Sequence, residues 1–303
     1  MEARTHPDAI SVVIPTCSRY DLLANTLDDL LRQTHPPAEI IVVDTTADSD
    51  RKEFGDSRSE SGTRITYVRS TSLGRVNRAR NEGLKRVGSE YVLLLDDDME
   101  LPPDCLAKFV RAHASGADAV HGSLREKGVE LTSVHRRDRP FWTVLRHRHD
   151  SRRCHTIAVS SGFVSIRMEA LRAIDYLDEA FIYSYDDWDL GYRLWAAGYI
   201  TIHEPAVQGT HLRAGYGGAR QLVSGQEGHL NKLTAKYYFL SKHFSVRAMR
   251  VELLTDLVFA LADKNWNPFS VLGDWRMSTR AYRAASTYHS VTSSHEPPSL
   301  NGP

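Results

Sequence analysis

The chain has 303 residues, of which 41% are hydrophobic and 25% are charged, and its formal net charge at pH 7 is zero. These values are typical of a globular protein and lack the basic excess that nucleic-acid-binding proteins carry. The sequence contains no uninterrupted apolar run of the roughly 18 residues that a membrane span requires. The length predicts one large domain or a domain with an appendage.

The N-terminus and the cysteines give the expected compartment. Residues 1–8 are polar and lack the apolar core of a signal peptide. Cys17, Cys105 and Cys154 are widely spaced, so they indicate neither a disulfide framework nor a zinc site. We therefore expect a cytoplasmic protein with at most peripheral membrane contact.

Predicted strands and helices alternate along the first two-thirds of the chain. Ser18 and Asp21 resemble a capping box that opens the first helix, which is predicted to run through Gln33. Strands are predicted at 10–15, 39–44, 65–68 and 91–95, and a second helix at 75–87. This alternation predicts an α/β fold with a mostly parallel sheet and helices on both faces.

The remaining elements follow in the same way. A helix is predicted after Pro102-Pro103, strands at 117–124 and 158–167, and another helix at 187–197. Arginine and histidine are concentrated in 135–155. This segment is interpreted either as a surface that binds an acidic acceptor, a phosphorylated carrier or an anionic membrane, or as plain surface. The pattern is helical beyond Leu222, and the composition of 287–303 predicts a disordered tail.

The most informative segment is the apolar strand 91–95, because three consecutive carboxylates follow it: Asp96, Asp97 and Asp98. A run of Val and Leu predicts a strand covered on both faces. Ligands of open α/β sheets bind beyond the carboxyl ends of such strands. Clustered carboxylates raise one another's pKa unless a cation compensates them, and hard oxygen ligands favour Mg²⁺ or Mn²⁺. A solvated acidic turn is the alternative interpretation.

Several motifs follow one another in a fixed order along the chain. The first four are Val12-Val13-Ile14-Pro15-Thr16, Ile41-Val42-Val43-Asp44, Leu94-Leu95-Asp96-Asp97-Asp98 and Tyr185-Asp186-Asp187-Trp188-Asp189-Leu190. Further motifs are Gly74 with Ala79-Arg80-Asn81-Glu82-Gly83, Ser161-Gly162-Phe163 and Gly198-Tyr199. This ordered set resembles the GT-A glycosyltransferases, specifically the inverting family-two group that uses nucleotide-activated sugars. The resemblance covers about residues 11–211, and its strength lies in the order of the motifs.

The resemblance implies a donor site for a nucleotide-sugar and a divalent cation, Mn²⁺ or Mg²⁺. Asp98 is the expected metal ligand, with Asp96 contacting the ribose or the metal and His211 completing the site. The remaining expected nucleotide-sugar residues are Pro15, Thr16, Asp44, Gly74, Arg80 and Asp97. Asp44 would accept a hydrogen bond from the nucleobase. Beside it, Thr45 and Thr46 replace the family's usual second acidic residue and its neighbour. Arg80 faces either the diphosphate or surface carboxylates.

The resemblance also implies an acceptor side with a general base. Inverting transfer requires a base near the acceptor hydroxyl. Asp187 is the expected base and Asp186 its acidic partner, although both also suit the start of a helix. Gly162 and Phe163 belong to the expected acceptor-side strand, and Trp188 is a candidate for stacking on a sugar. Asp189 is expected to stabilise the start of the helix.

Other classes of function remain as alternatives. A metal-dependent phosphohydrolase would use Asp96 as its nucleophile. A sugar nucleotidyltransferase would need a glycine-rich loop where Pro15-Thr16-Cys17-Ser18-Arg19 stands. A non-catalytic domain that binds glycans or recruits a partner is the third alternative.

The expected organisation is a GT-A catalytic domain at 1–221, a helical C-terminal region at 222–286 and the tail at 287–303. Within the catalytic domain, the nucleotide-sugar half comprises about 10–124 and the acceptor half about 125–221. UDP-sugar is the favoured donor, and the acceptor is a small molecule, a peptide or a glycan. The aromatic residues Tyr237, Tyr238, Phe239 and Phe244 are interpreted as core packing, an acceptor contact or a homodimer interface.

Overall fold

The computed structural model describes residues 8–52, 55–59, 62–126, 129–130, 153–157, 159–182, 184–215, 225–244, 247, 250–255, 276–283 and 285. The strands are β1 Ile10–Thr16, β2 Glu39–Asp44, β3 Ser57–Arg58, β4 Arg64–Arg69, β5 Tyr91–Leu95, β6 Met99–Glu100, β7 Ala119–Glu126, β8 Val129–Glu130, β9 Cys154–His155, β10 Phe163–Arg167 and β11 Thr201–His211. The helices with defined bounds are α1 Tyr20–Leu31, α2 Val76–Leu84, α3 Cys105–Ala114, α4 Met168–Ala173, α5 Asp186–Ala196 and α6 Gly225–His243.

The strands form one mixed sheet in the order β3-β4-β2-β1-β5-β10-β7-β11-β6, with β8 beside β7 and β9 beside β11. The pairs β2–β4, β1–β2, β1–β5 and β7–β11 are parallel. Strand β10 lies antiparallel between β5 and β7 and joins the two parallel halves. This arrangement confirms the predicted α/β class with a sheet flanked by helices.

The core lies on both faces of the sheet. Alternate residues of β5 divide between the two faces: Leu93 and Leu95 pack with α1 and α3, whereas Val92 and Leu94 pack with α2, α4 and α5. All four side chains are fully buried. The continuous apolar run of this strand is therefore explained by helices on both sides.

The first helix begins differently from the prediction. Arg19, not Ser18, is the residue before α1, and no side chain caps the helix. Ser18 has a left-handed φ of 57°, and its backbone N–H donates to Oγ1 of Thr46 at 2.8 Å. The predicted capping box at Ser18 and Asp21 is wrong because the turn after β1 is held by the loop after β2 instead.

Strand β11 was not predicted, although it is the longest strand. Its register against β7 is interrupted: Glu204 pairs with Gly122, but Gln208, four residues later, pairs with Ser123, the next residue of β7. Pro205 lies inside this bulge, and proline within a run of residues argues against a regular strand. The bulge shifts the end of β11 relative to β7 and determines where His211 lies.

The chain divides into two compact units, Met1–Ala180 with Asp186–Leu222 and Phe181–Tyr185 with Val223–Pro303. In the second unit, Tyr237, Tyr238 and Phe239 of α6 are buried. Tyr238 lies against Phe181, with 4.9 Å between ring centroids, and Tyr237 lies against Tyr282 at 6.0 Å. These three aromatic side chains thus pack within their own unit. The predicted tail at 287–303 lies outside the described residues.

In the part of the chain that the structure describes, no helix is both long enough and apolar enough to cross a membrane.

A buried histidine links α3 to the sheet. His113 is 3% exposed, its Nδ1 lies 2.9 Å from the carbonyl oxygen of Ala117, and its Nε2 lies 2.8 Å from Oγ of Ser165. Its ring stacks on Tyr91 with 4.0 Å between centroids. Burial disfavours the charged imidazolium and lowers the pKa of His113 to about 4.

We expect His113 to make folding stability pH-dependent. The pKa of His113 in the folded chain lies below the ordinary value of 6.5, so between about pH 4 and pH 6.5 the residue is protonated in the unfolded chain and neutral in the folded chain. The free energy of unfolding therefore falls as the pH drops from 6.5 towards about 4. Urea unfolding across this range should show a weaker pH dependence for His113→Gln than for the unmodified protein. His35→Gln, which removes a histidine near the surface, is the control. Equal pH dependence in all three proteins would contradict the prediction.

Candidate active site

Polar residues collect at the carboxyl edge of the parallel strands. Thr16 ends β1, Asp44 ends β2 in register with it, and Asp96 follows β5. Strand β10 runs antiparallel to β5, so the turn before it returns Gly162 to the same edge. This edge is the usual ligand-binding edge of such sheets.

Asp98 is a buried carboxylate that accepts hydrogen bonds from two other parts of the chain. Its Oδ2 accepts hydrogen bonds from Nη1 of Arg19 at 2.7 Å and from the backbone N–H of Ala214 at 3.2 Å. Its backbone carbonyl accepts the N–H of Leu212 at 2.9 Å. Burial works to raise the pKa of Asp98, but the neighbouring His211 and Arg19 outweigh it and lower this pKa to about 2. Asp98 is therefore an anion at neutral pH.

Asp96, Asp98 and His211 form a group suited to a cation. One ligand atom from each residue lies within 4.8 Å of the others. Oδ1 of Asp98 is buried, receives no well-directed hydrogen bond, and lies 3.2 Å from Nε2 of His211. Two carboxylates and an imidazole match the ligands that Mn²⁺ accepts, so these residues fit the metal expected from the sequence.

Asp97 is buried, with 2% of its surface exposed, and it contacts the first loop. Its Oδ2 accepts the hydroxyl of Thr16 at 2.7 Å, and its Oδ1 lies 3.4 Å from Nη1 of Arg19. Burial is the main reason that the pKa of Asp97 is raised to about 7. The side chain therefore links the acidic segment to the end of β1 and does not lie at the surface.

Asp44 is also buried and already bonded. Its Oδ2 accepts the hydroxyl of Tyr20 and its Oδ1 accepts the backbone N–H of Thr46, both at 2.9 Å. Nε of Arg51 lies 3.9 Å from Oδ2. The guanidinium of Arg51 is held by the carbonyl oxygens of Thr46 and Ser70. Next to the position where the family's second acidic residue is absent, Thr46 therefore donates its backbone N–H to Asp44 and offers its carbonyl oxygen to Arg51.

Arg80 joins the two acidic motifs. It is 4% exposed, and its Nη2 donates to Oδ1 of Asp96 at 2.9 Å. Its Nη1 lies 2.8 Å from Oγ of Ser161 and 3.5 Å from Oδ2 of Asp186. The sequence left open whether this guanidinium faces the diphosphate or surface carboxylates. In the structure it lies between Asp96 and Asp186, and both carboxylates are partly or largely buried.

Ser161 organises the acidic pair at the start of α5. Its backbone N–H donates to Oδ1 of Asp187 at 2.6 Å, and its hydroxyl donates to Oδ2 of Asp186 at 3.1 Å. Burial, followed by the charge of Asp186, raises the pKa of Asp187 to about 7. Burial likewise raises the pKa of Asp186, although Arg80 works against it. A carboxylate with a pKa near neutrality is suited to accept a proton.

Gly162 permits close contact between the two halves of the site. Its carbonyl accepts the backbone N–H of Asp96 at 3.0 Å, and a Cβ at this position would lie 2.3 Å from Oδ2 of Asp96. Any other residue would therefore displace the Asp96 carboxylate. The adjacent Phe163 is fully buried and packs edge-on against Phe109 at 5.4 Å, so its side chain belongs to the core.

The acidic pair is preceded by a segment that side chains hold in place. Asn81 bonds both the N–H and the carbonyl of Leu177, at 3.1 and 2.8 Å. Arg193 of α5 donates to the carbonyls of Ile174 and Tyr176. Asp189 is buried and pairs with Arg193 at 2.7 Å, so it stabilises α5 through this ion pair.

The remaining predicted residues have the following positions. Pro15 is half-buried in β1, Gly74 lies before α2 with a left-handed φ of 74°, and Trp188 is half-buried in the first turn of α5. Most of the basic segment 135–155 lies outside the described residues.

Several polar residues of the site were not among the predicted site residues, and they include Arg19, Arg51, Ser161 and Glu126. Ser161 stands next to the predicted Gly162, and Arg19 stands in the loop after Pro15, so their positions in the motifs carried a signal. Glu126 ends β7 and lies 2.9 Å from Nδ1 of His211. No local motif marks it, because its proximity depends on the register of β11.

Comparison with known proteins supports the motif assignment. Residues 11–175, more than half of the chain, match the family model described as glycosyl transferase family 2. The chain belongs to this family. Membership in this family argues against the phosphohydrolase alternative.

Individual relatives are similar to shorter stretches of the chain. Validoxylamine A glucosyltransferase of Streptomyces hygroscopicus subsp. limoneus is 37% identical over 119 residues, which cover 39% of this chain and 26% of that protein. GalNAc(5)-diNAcBac-PP-undecaprenol beta-1,3-glucosyltransferase of Campylobacter jejuni subsp. jejuni serotype O:2 is 30% identical over 125 residues, 41% of this chain and 40% of that protein. The chain thus spans less than half the length of either relative.

A solved structure supports the fold of the chain. The crystal structure of GalNAc-T7 with UDP, GalNAc and Mn²⁺ has a TM-score of 0.56 at 13% identity, covering 94% of this chain and 57% of that chain. At this identity the likeness shows the fold alone, and the fold is GT-A.

We predict that Arg80→Ala strongly destabilises the protein. The substitution leaves Asp96 and Asp186 without their shared cation, and breaking a buried ion pair costs roughly 3 kcal/mol or more of the free energy of unfolding. Arg78→Ala is the matched control, because Arg78 lies on the same helix, is half-exposed, and pairs with Glu82 at 3.6 Å. We expect it to cost at most about 0.5 kcal/mol. Urea unfolding measures both, and equal losses would contradict the role of Arg80.

Proposed function

We propose that the chain transfers a sugar from a nucleoside diphosphate-sugar, with UDP-sugar as the favoured donor, to an acceptor hydroxyl with inversion and with Mn²⁺ or Mg²⁺. The observation that carries the proposal is the grouping of Asp96, Asp98 and His211 beyond β5. It stands at the sheet edge where ligands of this architecture bind. The acceptor-side pair Asp186 and Asp187 is joined to the same group through Arg80.

The donor half of the proposal assigns each acidic residue a task. Asp98, His211 and Asp96 would hold the cation, which when bound neutralises the charge that grows on the departing diphosphate. Asp98 suits this task because its low pKa keeps it ionised. Asp97 is proposed to stabilise the nucleotide site indirectly, through its hydrogen bond with Thr16 and its ion pair with Arg19.

The nucleobase is proposed to lie near Asp44. Both carboxylate oxygens of Asp44 accept hydrogen bonds, but each oxygen retains a second lone pair for a base N–H. Arg51 lies beside Asp44, and its positive charge compensates the negative charge of this carboxylate. UDP is favoured because the GT-A neighbour GalNAc-T7 was crystallised with UDP and Mn²⁺.

The acceptor half assigns Asp187 as the general base. The acceptor hydroxyl loses its proton to Asp187, and its oxygen attacks the anomeric carbon on the face opposite the diphosphate. The bond from this carbon to the diphosphate oxygen breaks, so the configuration inverts. The backbone N–H of Ser161 orients the carboxylate of Asp187. The raised pKa of Asp187 suits proton transfer at neutral pH.

The acceptor class stays open in the proposal. The names of the relatives include validoxylamine A in one case and an undecaprenol-linked glycan in another. Acceptors of such different chemistry give no preference between a small molecule and a glycan, and a peptide is kept beside them.

We expect UDP to bind in the presence of Mn²⁺ and to lose its affinity when EDTA is added. Calorimetric titration with UDP, GDP, dTDP and CDP, with and without Mn²⁺, tests the donor class. Asp98→Asn removes a charged ligand, so we expect it to weaken Mn²⁺–UDP binding at least about tenfold. Glu169→Gln, an exposed carboxylate on α4, is the control. Failure of all four nucleotides to bind would overturn the proposal and favour a non-catalytic domain.

We expect the pH profile of donor consumption to report Asp187. The base must be ionised, so log kcat/KM should rise with a slope of about one up to a pH of about 7 and then level off. Asp187→Asn should lower kcat about 10²- to 10⁴-fold while UDP affinity is retained. The measurement is release of UDP from UDP-glucose, with water in place of the acceptor. An unchanged rate in Asp187→Asn would remove Asp187 from this role.

A further inference from the structure

The imidazole of His211 is held between two buried carboxylates. Its Nδ1 lies 2.9 Å from Oε1 of Glu126, and its Nε2 lies 3.2 Å from Oδ1 of Asp98. The side chains of His211 and Glu126 are 8% and 9% exposed. The two ring nitrogens therefore face different partners, and the ring has a single orientation.

Glu126 reaches His211 because of the bulge in β11. The pairing of β11 with β7 before the bulge, in which Glu204 lies opposite Gly122, would place Gln208 beside Glu126. After the bulge, Thr210 pairs with Arg125, and this register carries His211 next to Glu126. Because of the bulge, His211 lies beside Glu126 and near Asp98, which follows β5.

The second oxygen of Glu126 is occupied as well. Oε2 pairs with Nε of Arg213, whose left-handed φ of 51° turns the chain back after β11. Arg213 compensates the charge of Glu126, so the carboxylate is retained in a buried position. One oxygen of Glu126 is thereby left to face His211.

We propose that Glu126 is a positioning residue that holds His211 with Nδ1–H towards itself and directs Nε2 towards the cation shared with Asp98. Histidines that bind metals usually donate their other N–H to a carboxylate, which fixes the tautomer and the ring orientation. This inference rests on the proposed function, because it requires a metal ion at Asp98 and His211. Glu126 itself does not touch the ion.

The test measures Mn²⁺ binding directly. Free Mn²⁺ is followed by its electron paramagnetic resonance signal during titration of the full chain with MnCl₂ in the presence of UDP. We expect Glu126→Gln to raise the Kd for Mn²⁺ about 10- to 100-fold. Glu100→Gln is the matched control, because Glu100 is an exposed carboxylate in β6, beside β11 and opposite Thr210. It should stay within about twofold of the unmodified protein.

A double-mutant cycle separates positioning from general structural support. If Glu126 acts through His211, Glu126→Gln should change Mn²⁺ affinity less than about twofold in a His211→Ala background. A purely structural role would produce a similar loss in both backgrounds and would overturn the inference. Thermal unfolding without metal verifies that each variant is folded.

A second variant covers the case in which Glu126→Gln does not fold. Glu126→Asp keeps the negative charge that Arg213 compensates, but it withdraws the carboxylate by one methylene. We expect its Kd for Mn²⁺ to rise at least fivefold, and an unchanged Kd would overturn the inference. If the unmodified protein binds Mn²⁺ while the Glu126 variants match it, only the role of Glu126 fails. If the unmodified protein binds no Mn²⁺, the metal part of the proposed function fails with it.

Discussion

Compensation of buried carboxylates is the constraint on which the site depends. Asp44, Asp97 and Asp98 are each less than 5% exposed, and carboxylates in such surroundings require a cation or a shifted pKa. The chain supplies cations in pairs with them: Arg51 for Asp44, Arg19 for Asp97 and Asp98, and Arg80 for Asp96 and Asp186. Arg19 and Arg80 are remote in the chain from Asp98 and Asp186, whereas Arg51 lies in the loop that follows Asp44. The same ion pairs that keep the carboxylates buried therefore also hold the loops of the site together.

The same constraint explains the difference between the two acidic groups. Beyond β5, His211 and Arg19 outweigh burial, and Asp98 stays ionised at low pH. At the start of α5, Arg80 acts on both Asp186 and Asp187, and burial with the charge of Asp186 raises the pKa of Asp187. One site thus contains a carboxylate suited to hold a cation and another suited to take up a proton. Such a separation of pKa values between neighbouring acids distinguishes their roles.

Much of this arrangement was predictable from sequence where it depends on local pattern. Strands 39–44 and 91–95 were predicted with the bounds that the structure has, because apolar runs that end on polar residues define both. The GT-A fold followed from motifs in a fixed order. The partners of these motifs were not predictable: Arg19 and Ser161 contact residues 79 and 25 positions away in the chain, and nothing in their neighbourhood indicates which carboxylate each will bind. Tertiary packing determines these pairs.

Glu126 shows where prediction from sequence ends. A regular continuation of β7 and β11 from Gly122 and Glu204 would leave Glu126 beside glutamine, and His211 would lie beyond the end of the paired strand. The bulge that includes Pro205 reverses this outcome by moving the last residues of β11 along β7. A proline that reads in the sequence as a strand breaker is compatible with the strand because the bulge leaves its missing N–H outside the ladder. The bulge thus brings the imidazole of His211 to the buried carboxylate of Glu126. It also explains why β11, the longest strand of the described sheet, was not predicted from the sequence.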